Sequence, residues 1–378
     1  MSKRSEQVPM ASLGHAILAA AALLPGVAAH AENPPERSTL SLRYLDYEES
    51  QPGLDRITVH APSVALETPL GATWSLGASL TADAVSGASP RYYTAVSGAS
   101  RMHDDRKAGD VNLTRYFSNA SLSVGAAYST EHDYVSRALS VLGTLSSEDR
   151  NTSWSFGVGG ADDSIDPVNF IVRGAKRQTV NLIAGLTRVL SADDLAQVTL
   201  GYTRGHGYFN DPYKALDLRP GQRAQRTLML RWNHHHAASD GTSRLSYRLY
   251  DDSFGIRAHT LGGEYVQPFG QGWTLAPSLR LYSQRAASFY VDNPGDDGFP
   301  VILASGTLRY GSADQRLSAF GAVTLGFKLV HQLGPDWLAD VKLESYRQRS
   351  QWRAFGHASA ALAPLSALSL QVGLSRSW

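Results

Sequence analysis

The hydrophobic residues of this chain recur at every second position through long stretches of its length. In the last segment an apolar face alternates with a small or polar one, and the apolar members are Leu368, Leu370, Val372, Leu374 and Trp378. Residues 74–83, 121–128, 153–159, 179–187, 197–202 and 317–329 show the same alternation. Because successive side chains of a strand point to opposite faces, each segment predicts a β-strand with one apolar face.

The residues opposite each apolar face separate two kinds of all-β protein. In a soluble sandwich they face solvent and favour long charged side chains, whereas here most are Gly, Ser or Thr. Small polar residues suit a crowded barrel lumen. The pattern therefore predicts an all-β, transmembrane, antiparallel up-and-down β-barrel.

Short and long connections alternate along the chain, which is the rule for outer-membrane barrels. Short turns are predicted at residues 69–72, 118–120, 147–151, 191–194, 239–241, 269–272 and 334–336, each rich in turn-forming residues. Longer connections are predicted at residues 49–55, 85–110, 163–175, 210–222, 291–314 and 350–364, and two brief ones near residues 134–137 and 253–256. This predicts about sixteen strands, the first two being Thr39 to Tyr47 and Arg56 to Thr68, where Pro62 is awkward in a paired strand.

Aromatic residues fall near the ends of the predicted strands. They are Tyr44, Trp74, Tyr116, Phe117, Trp154, Trp232, Tyr265, Trp273, Trp337 and Trp378. One interpretation is that they form aromatic girdles at the lipid interface, and the alternative is that they are ordinary strand aromatics.

The N-terminus has the layout of an export signal. Lys3 and Arg4 precede an apolar run from Ala16 to Leu24, and Ala29 and Ala31 supply the small residues of a cleavage site. We expect residues 1–31 to be a cleaved signal peptide and residues 32–378 to be the barrel domain. The apolar run is too short to span a bilayer as a helix.

Composition excludes several classes of function. The chain has no cysteine, which rules out disulfides, thiol chemistry and a lipidated N-terminal cysteine. Its formal net charge of +1 gives no basic field for nucleic acid. No cofactor is predicted.

Several segments resemble an uncharacterised family of proteobacterial outer-membrane proteins, a domain of unknown function. The resemblance rests on Val85–Ser89 and Val96–Ser100, which bracket Arg91, Tyr92 and Tyr93, and on Leu113–Phe117, Glu131–Tyr134 and Tyr346–Ser350. It implies a barrel in the outer membrane of a Gram-negative bacterium, with no established activity. The family is also associated with genes for a flavin transferase, a small lipoprotein and thioredoxin-like proteins, which implies a periplasmic lipoprotein or thioredoxin-like partner.

The last strand also resembles the signal that the barrel assembly machinery recognises. Leu370, Val372, Leu374 and the terminal Trp378 match its pattern, whereas Arg376 departs from it. The resemblance implies that this machinery is a partner, together with outer-membrane lipid and lipopolysaccharide.

The most unusual predicted connection is Val85 to Asp110. One interpretation places it in the lumen as a constriction, with Arg91, Arg101, Asp104, Asp105, Arg106 and Lys107 setting the field. The alternative is a solvated external loop.

Strand parity places a second set of charges on the lumenal face. They are Arg231, Arg248, Glu264, Arg280, Lys328, Lys342 and Glu344. They either form opposed ladders that select ions or form salt bridges that only fill the barrel.

Three further features suggest a functional site but also have a non-functional interpretation. His234 and His236 share a strand face but lack a completing ligand set, so a polar strand end competes with a metal site. The acidic turn at residues 292–298 lacks the carboxylate that a calcium loop needs at its twelfth position, where Leu303 stands. His357 and Ser359 invite a hydrolase hypothesis without a supporting motif.

Three functions are compatible with these residues. The first is a channel or transport protein for a small solute or ion, and the second is a filled barrel that docks a periplasmic or surface partner in envelope redox or metal homeostasis. The third is an envelope hydrolase, and the sequence favours the first.

Overall fold

The computed structural model describes residues 33–88, 101–214, 217–292 and 309–378. Within these ranges sixteen antiparallel strands, β1 to β16, form a closed barrel in which each strand pairs with its neighbours in sequence. The strands are Thr39–Gln51, Leu54–Pro69, Trp74–Ala88, Arg101–Tyr116, Ala120–Thr130, Tyr134–Ser146, Thr152–Ile165, Ala175–Val189, Asp194–Gly207, Gln222–His236, Gly241–Asp252, Arg257–Phe269, Trp273–Gln284, Phe320–Gln332, Trp337–Arg349 and Leu365–Ser377. The predicted signal peptide, with Ala29 and Ala31, lies outside the described residues.

The first and last strands close the barrel. β1 pairs with β16 from Thr39 opposite Ser377 to Ser50 opposite Ser366. Ser38 and Trp378 add two backbone hydrogen bonds of 3.0 and 2.9 Å beyond the strand ends. Closure leaves no free sheet edge, which a barrel in lipid requires.

The predicted alternation is confirmed on the outer wall. Large apolar side chains project outward on every second position, and Leu80 is 64% exposed. Leu370, Val372, Leu374 and Trp378 all lie on this outer face. The strands hold 11 to 16 residues, more than the roughly 9–11 that a tilted strand needs to cross a membrane, so the wall extends beyond the apolar band.

The connections divide between the two ends as predicted. Every connection at one end is a short turn of three to five residues. Every long loop lies at the other end, together with three short turns at residues 52–53, 131–133 and 253–256. Long loops are extracellular in outer-membrane barrels, so we call the two ends periplasmic and extracellular. No helix in the described ranges is long and apolar enough to cross a membrane.

Some predicted boundaries are wrong because several hairpins extend into segments whose composition indicates loops. Strand β3 continues to Ala88 and β4 begins at Arg101, so most of the predicted Val85 to Asp110 loop is barrel wall. The predicted connection at residues 49–55 is a two-residue turn, where Pro52 precedes Gly53 at φ +72°. The predicted connection at residues 134–137 is also strand, because β6 begins at Tyr134.

Pro62 lies in β2 at a local interruption of the sheet. Bridges between β2 and β3 stop at His60 opposite Ala84 and resume at Ser63 opposite Thr81 with the register unchanged. Proline has no N–H to donate, so the wall tolerates it by omitting pairs rather than by shifting the strand.

Candidate functional site

The extracellular mouth of the barrel holds a small hydrophobic core made by loops. We call the described residues of the β9–β10, β11–β12 and β13–β14 connections the loop cap: residues 208–214, 217–221, 253–256, 285–292 and 309–319. Phe209, Phe254, Ile256, Ala287 and Leu317 form its buried apolar cluster. Phe254 packs edge-to-face against Phe209 and Phe289, with ring centroids 5.9 and 5.0 Å apart. These loops therefore pack as a unit rather than as solvated tails.

Backbone hydrogen bonds join the loops of the cap to one another. Leu218 and Gly311 exchange two N–H···O bonds of 2.9 Å, which ties the β9–β10 loop to the β13–β14 loop. The Gln284 amide on β13 donates to the Ser318 carbonyl at 2.6 Å. The cap is thus anchored to the end of β13, the strand from which the β13–β14 loop departs.

A buried ion network around Asp314 fixes the cap. The Asp314 carboxylate is fully buried and accepts from Lys214 at 3.0 Å, Arg219 at 2.8 Å and Arg316 at 2.8 Å. Arg316 also pairs with Asp211 at 2.9 Å, and the Arg219 Nε donates to Asp217 at 2.7 Å. Three carboxylates and three cations are therefore joined, and the charges of the network balance.

The electrostatics of this network favour the ionised form of its central carboxylate, Asp314. Burial opposes ionisation of Asp314, but the charges of Arg316, Lys214 and Arg219 outweigh it and hold the pKa of Asp314 well below its usual value. Burial acts against the charged forms of two other members, since it lowers the pKa of Lys214 and raises the pKa of Asp217. A buried ion network of this kind is destabilised strongly when one partner is removed.

A cavity of about 670 Å³ lies in the lumen directly beneath the cap. Gln315 and Arg316 from the cap form part of its lining, and inward residues of β1 and β11 to β16 form the rest. The volume falls within the range of small-molecule sites, roughly 300–1,000 Å³. The cavity can therefore hold a small solute.

Inward tyrosines of β1, β11, β13 and β15, which all run toward the extracellular end, share one arrangement. Each tyrosine hydroxyl donates to a carboxylate or amide two residues further along the same strand, since positions i and i+2 share a face. The pairs are Tyr47 with Glu49 at 2.6 Å, Tyr250 with Asp252 at 2.8 Å, Tyr282 with Gln284 at 2.5 Å and Tyr346 with Gln348 at 2.8 Å. The rings of Tyr47, Tyr282 and Tyr346 line the cavity in fixed orientations.

The charges that line the cavity are unevenly partnered. Glu344 pairs with Lys342 on its own strand at 3.0 Å, and Glu49 pairs with Arg56 at 3.4 Å. Both acidic groups of the lining are therefore neutralised by a neighbouring cation.

The two arginines of the wall have a different environment. Arg280 donates to the Thr324 hydroxyl at 3.2 Å, and the Arg248 guanidinium lies 5.5 Å from the centre of the Tyr250 ring. Neither arginine forms an ion pair with a carboxylate among the described residues. The cavity wall therefore carries uncompensated positive charge.

The chain matches a known family model over residues 14–101 and 95–369, described as protein of unknown function (DUF3570). The chain belongs to this family. Among curated proteins, none matches its sequence.

Solved structures with a similar fold are outer-membrane barrels. A bacterial polysaccharide outer-membrane secretin is 8% identical, with a TM-score of 0.53, and the match covers 92% of this chain and 100% of that one. OprD from Pseudomonas aeruginosa is 13% identical with a TM-score of 0.43, covering 92% and 97%. The siderophore receptor PirA from Pseudomonas aeruginosa is 14% identical with a TM-score of 0.47; 90% of this chain matches but only 62% of the receptor. At these identities the likeness shows the fold alone.

The residues predicted for the lumen fall into two groups. Arg248, Arg280 and Glu344 line the cavity. Outside it, Arg231 donates to Gln197 at 3.3 Å, Glu264 accepts from Arg244 at 3.1 Å, and Lys342 lies opposite Lys328 in the β14–β15 register. The predicted acidic residues are thus paired with neighbouring cations.

The residues predicted for a constriction after β3 have other positions. Arg106 lies on the inward face, 3.7 Å from Asp83, whereas Asp105 is exposed on the outer face. Arg101 and Asp104 belong to β4, where they pair with Ala88 and Val85, and Arg91 lies outside the described residues. In the part of the chain that the structure describes, the cap residues that line the cavity, Gln315 and Arg316, come from the β13–β14 loop.

Two minor hypotheses also have structural answers. His234 bonds to Asp194 and His236 to Ser243, each at 2.8 Å, on the outer face near the periplasmic end. The Ser359 hydroxyl is buried and accepts from the Ala319 N–H at 2.8 Å. Neither histidine belongs to a three-ligand cluster within the described ranges.

Sequence reasoning missed the Asp314 network because its partners lie about 100 residues apart in loops without periodicity. The tyrosine arrangement had a readable signal, since Tyr followed two residues later by Glu, Asp or Gln ends four ascending strands. That repeat predicts a layer of inward tyrosine rings near the extracellular mouth.

Proposed function

We propose that this protein is an outer-membrane channel for a small anionic solute, closed at its extracellular mouth by the loop cap. The observation that carries the proposal is the cavity beneath the cap, whose wall holds Arg248 and Arg280 without carboxylate partners among the described residues. Fixed charges of one sign in a narrow lumen favour the opposite ion. The proposal includes placement in the outer membrane of a Gram-negative bacterium.

The cap acts in this proposal as a gate, because it is assembled from loops and the bridge that joins two of them lies outside the strands of the wall. Opening would separate the β13–β14 loop from the β9–β10 loop without breaking a strand pair. The wall would keep all its backbone hydrogen bonds, as a barrel in lipid must.

A reversible cross-link tests the gate. Leu218 and Gly311 exchange two backbone bonds, and the Cα atoms of such a pair lie about 5.5 Å apart, within the range that a disulfide bridges. The chain has no cysteine, so Leu218→Cys with Gly311→Cys introduces the sole thiols. We expect this double variant to stay closed in planar bilayers when oxidised and to show conductance steps after reduction, whereas Leu218→Cys alone should not respond to reductant.

Ion selectivity tests the cavity. Reversal potentials in a salt gradient should show preference for anions, and Arg248→Gln with Arg280→Gln should reduce or reverse it. A matched control is Arg231→Gln, because Arg231 lies on the lumenal face outside the cavity. Equal selectivity in all three proteins would contradict the anionic assignment.

The docking barrel is the second candidate, and the extent of the cap's buried network favours it. The channel proposal fails if the folded double-cysteine variant shows no conductance after reduction and a variant with a broken Asp314 network shows none either. A periplasmic lipoprotein or thioredoxin-like partner would then be sought by cross-linking at the periplasmic turns.

A further inference from the structure

The outer wall of the barrel carries a loop segment that crosses three strands at the extracellular end. We call residues 352–356, from the β15–β16 connection, the strap. The Ala354 N–H donates to Ser283 on β13 at 3.0 Å, and the Phe355 ring lies 5.5 Å from the His259 ring on β12. On β14, a Cβ at Gly321 would lie 2.0 Å from the Trp352 carbonyl oxygen, so only glycine permits this close approach.

Strand parity places all three contacts on the lipid-facing side. Ser283 has the same parity as the exposed Leu279 and Leu281, and Gly321 has the same parity as the exposed Leu325 and Phe327. Ser283 is nevertheless buried, since the strap covers it. The strap therefore lies against the outside of the wall, directly above the apolar band.

The strap exposes aromatic side chains at this level. Trp352 is 42% exposed and Phe355 is 65% exposed. Aromatic rings of this kind are enriched where a bilayer meets water. The strap thus places a lipid-interface element on one side of the barrel.

Basic residues lie on the strap and at the strand ends that it contacts. Arg285 directly follows the β13 end and shares the outward parity of Ser283, and Arg353 belongs to the strap itself. The backbone N–H of Arg285 donates to the carbonyl of Arg257 on β12 at 2.9 Å. The Arg257 side chain pairs with Asp251 at 3.0 Å.

The 3.0 Å bond from the Ala354 N–H to Ser283 brings the strap, and with it Arg353, beside the end of β13, which Arg285 directly follows. The Arg285 Nε donates to the Gly255 carbonyl at 2.9 Å, and neither guanidinium lies within ion-pair distance of a carboxylate among the described residues. Burial and the charge of Arg285 lower the pKa of Arg353. Two like charges held together in this way are stabilised by an anion that both can contact.

We propose that Arg285 and Arg353 bind a phosphate group of lipopolysaccharide in the outer leaflet, with Trp352 and Phe355 against its acyl chains. The charge, the continuity with the apolar band and the extracellular level all match the phosphorylated end of lipid A. The inference rests on the outer-membrane placement in the proposed function and is independent of whether the lumen conducts.

Binding of purified, folded protein to bisphosphorylated lipid A in detergent tests the site by native mass spectrometry. Arg285→Gln with Arg353→Gln should weaken binding about 30-fold, the equivalent of about 1 kcal/mol for each arginine at an anionic interface. The matched control is Arg115→Gln with Arg188→Gln, because both arginines lie on the outer face near the periplasmic end, and Arg115 also lies beside aromatic rings. This control should bind as the unmodified protein does.

A second test changes the lipid instead of the protein. Dephosphorylated lipid A should bind the unmodified protein as weakly as bisphosphorylated lipid A binds the Arg285 and Arg353 double variant. Inorganic phosphate at millimolar concentration should not displace lipid A, because it lacks the contacts of the acyl chains. Trp352→Ser with Phe355→Ser should weaken binding of both lipids.

Equal binding of phosphorylated and dephosphorylated lipid would overturn the proposal, as would equal losses in the two arginine double variants. Displacement of lipid A by inorganic phosphate would assign the site to free anions and overturn the lipid assignment. Conductance of the Arg285 and Arg353 variant should match that of the unmodified protein, so a failed channel assay and a failed lipid assay are separate results.

Discussion

Removing the charge at the centre of the cap should open the barrel. Asp314→Asn keeps the shape of the side chain and leaves Lys214, Arg219 and Arg316 around a neutral group. Breaking a buried ion pair costs about 3–5 kcal/mol, which shifts the ratio of open to closed cap by a factor of about 100 to 4,000. A cap that is open about 0.1% of the time would then be open between about a tenth and four fifths of the time.

Single-channel recording in planar bilayers measures this change as open probability. Asp251→Asn is the control, since its pair with Arg257 is solvent-exposed and such pairs contribute about 0–1 kcal/mol. Adding Lys214→Met to Asp314→Asn should restore part of the closure, because it removes one of the uncompensated cations. An Asp314→Asn protein that folds normally, by heat-dependent gel mobility, and keeps the unmodified open probability would refute the reasoning.

Three further predictions concern pH, the wall and assembly. Because the pKa of Asp314 is depressed in the folded cap, its contribution is complete above the unfolded value near 4 and is lost only as the pH falls through the depressed one. Asp314 should therefore add no pH dependence between about pH 5 and 8, so the open-probability profiles of the unmodified protein and of Asp314→Asn should run parallel there. A step in this range that only the unmodified protein shows would contradict the Asp314 account. Leu80→Arg on the lipid face should destabilise the barrel by about 2–4 kcal/mol in denaturant titrations from lipid vesicles, whereas Thr81→Arg on the lumenal face should cost less; equal losses would contradict the assigned parity. Leu374→Asp should slow folding into vesicles because it puts a charge on the lipid face of the closing strand, and a rate equal to that of Ser375→Asp would contradict this.

The wall of this protein was predictable from its sequence because lipid and lumen impose period two on every strand. The alternation predicted about sixteen strands, the placement of the seven periplasmic turns and the outward face of Leu370, Val372 and Leu374. The same parity placed Arg248, Arg280 and Glu344 inside, where they line the cavity. Each of these conclusions uses neighbours along one strand, which the chain order specifies.

The cap and the strap were decided only by the tertiary structure. Asp314 meets Lys214 and Arg219 across loops that have no repeating pattern, and the strap reaches Ser283 and His259 from the far side of two strands. Loop composition indicates that a chain turns, whereas burial of Phe254 and the three-cation environment of Asp314 depend on which loops meet above the lumen. Strand periodicity is local and can therefore be read from the sequence. The pairing of distant loops depends on packing within the mouth of the closed barrel.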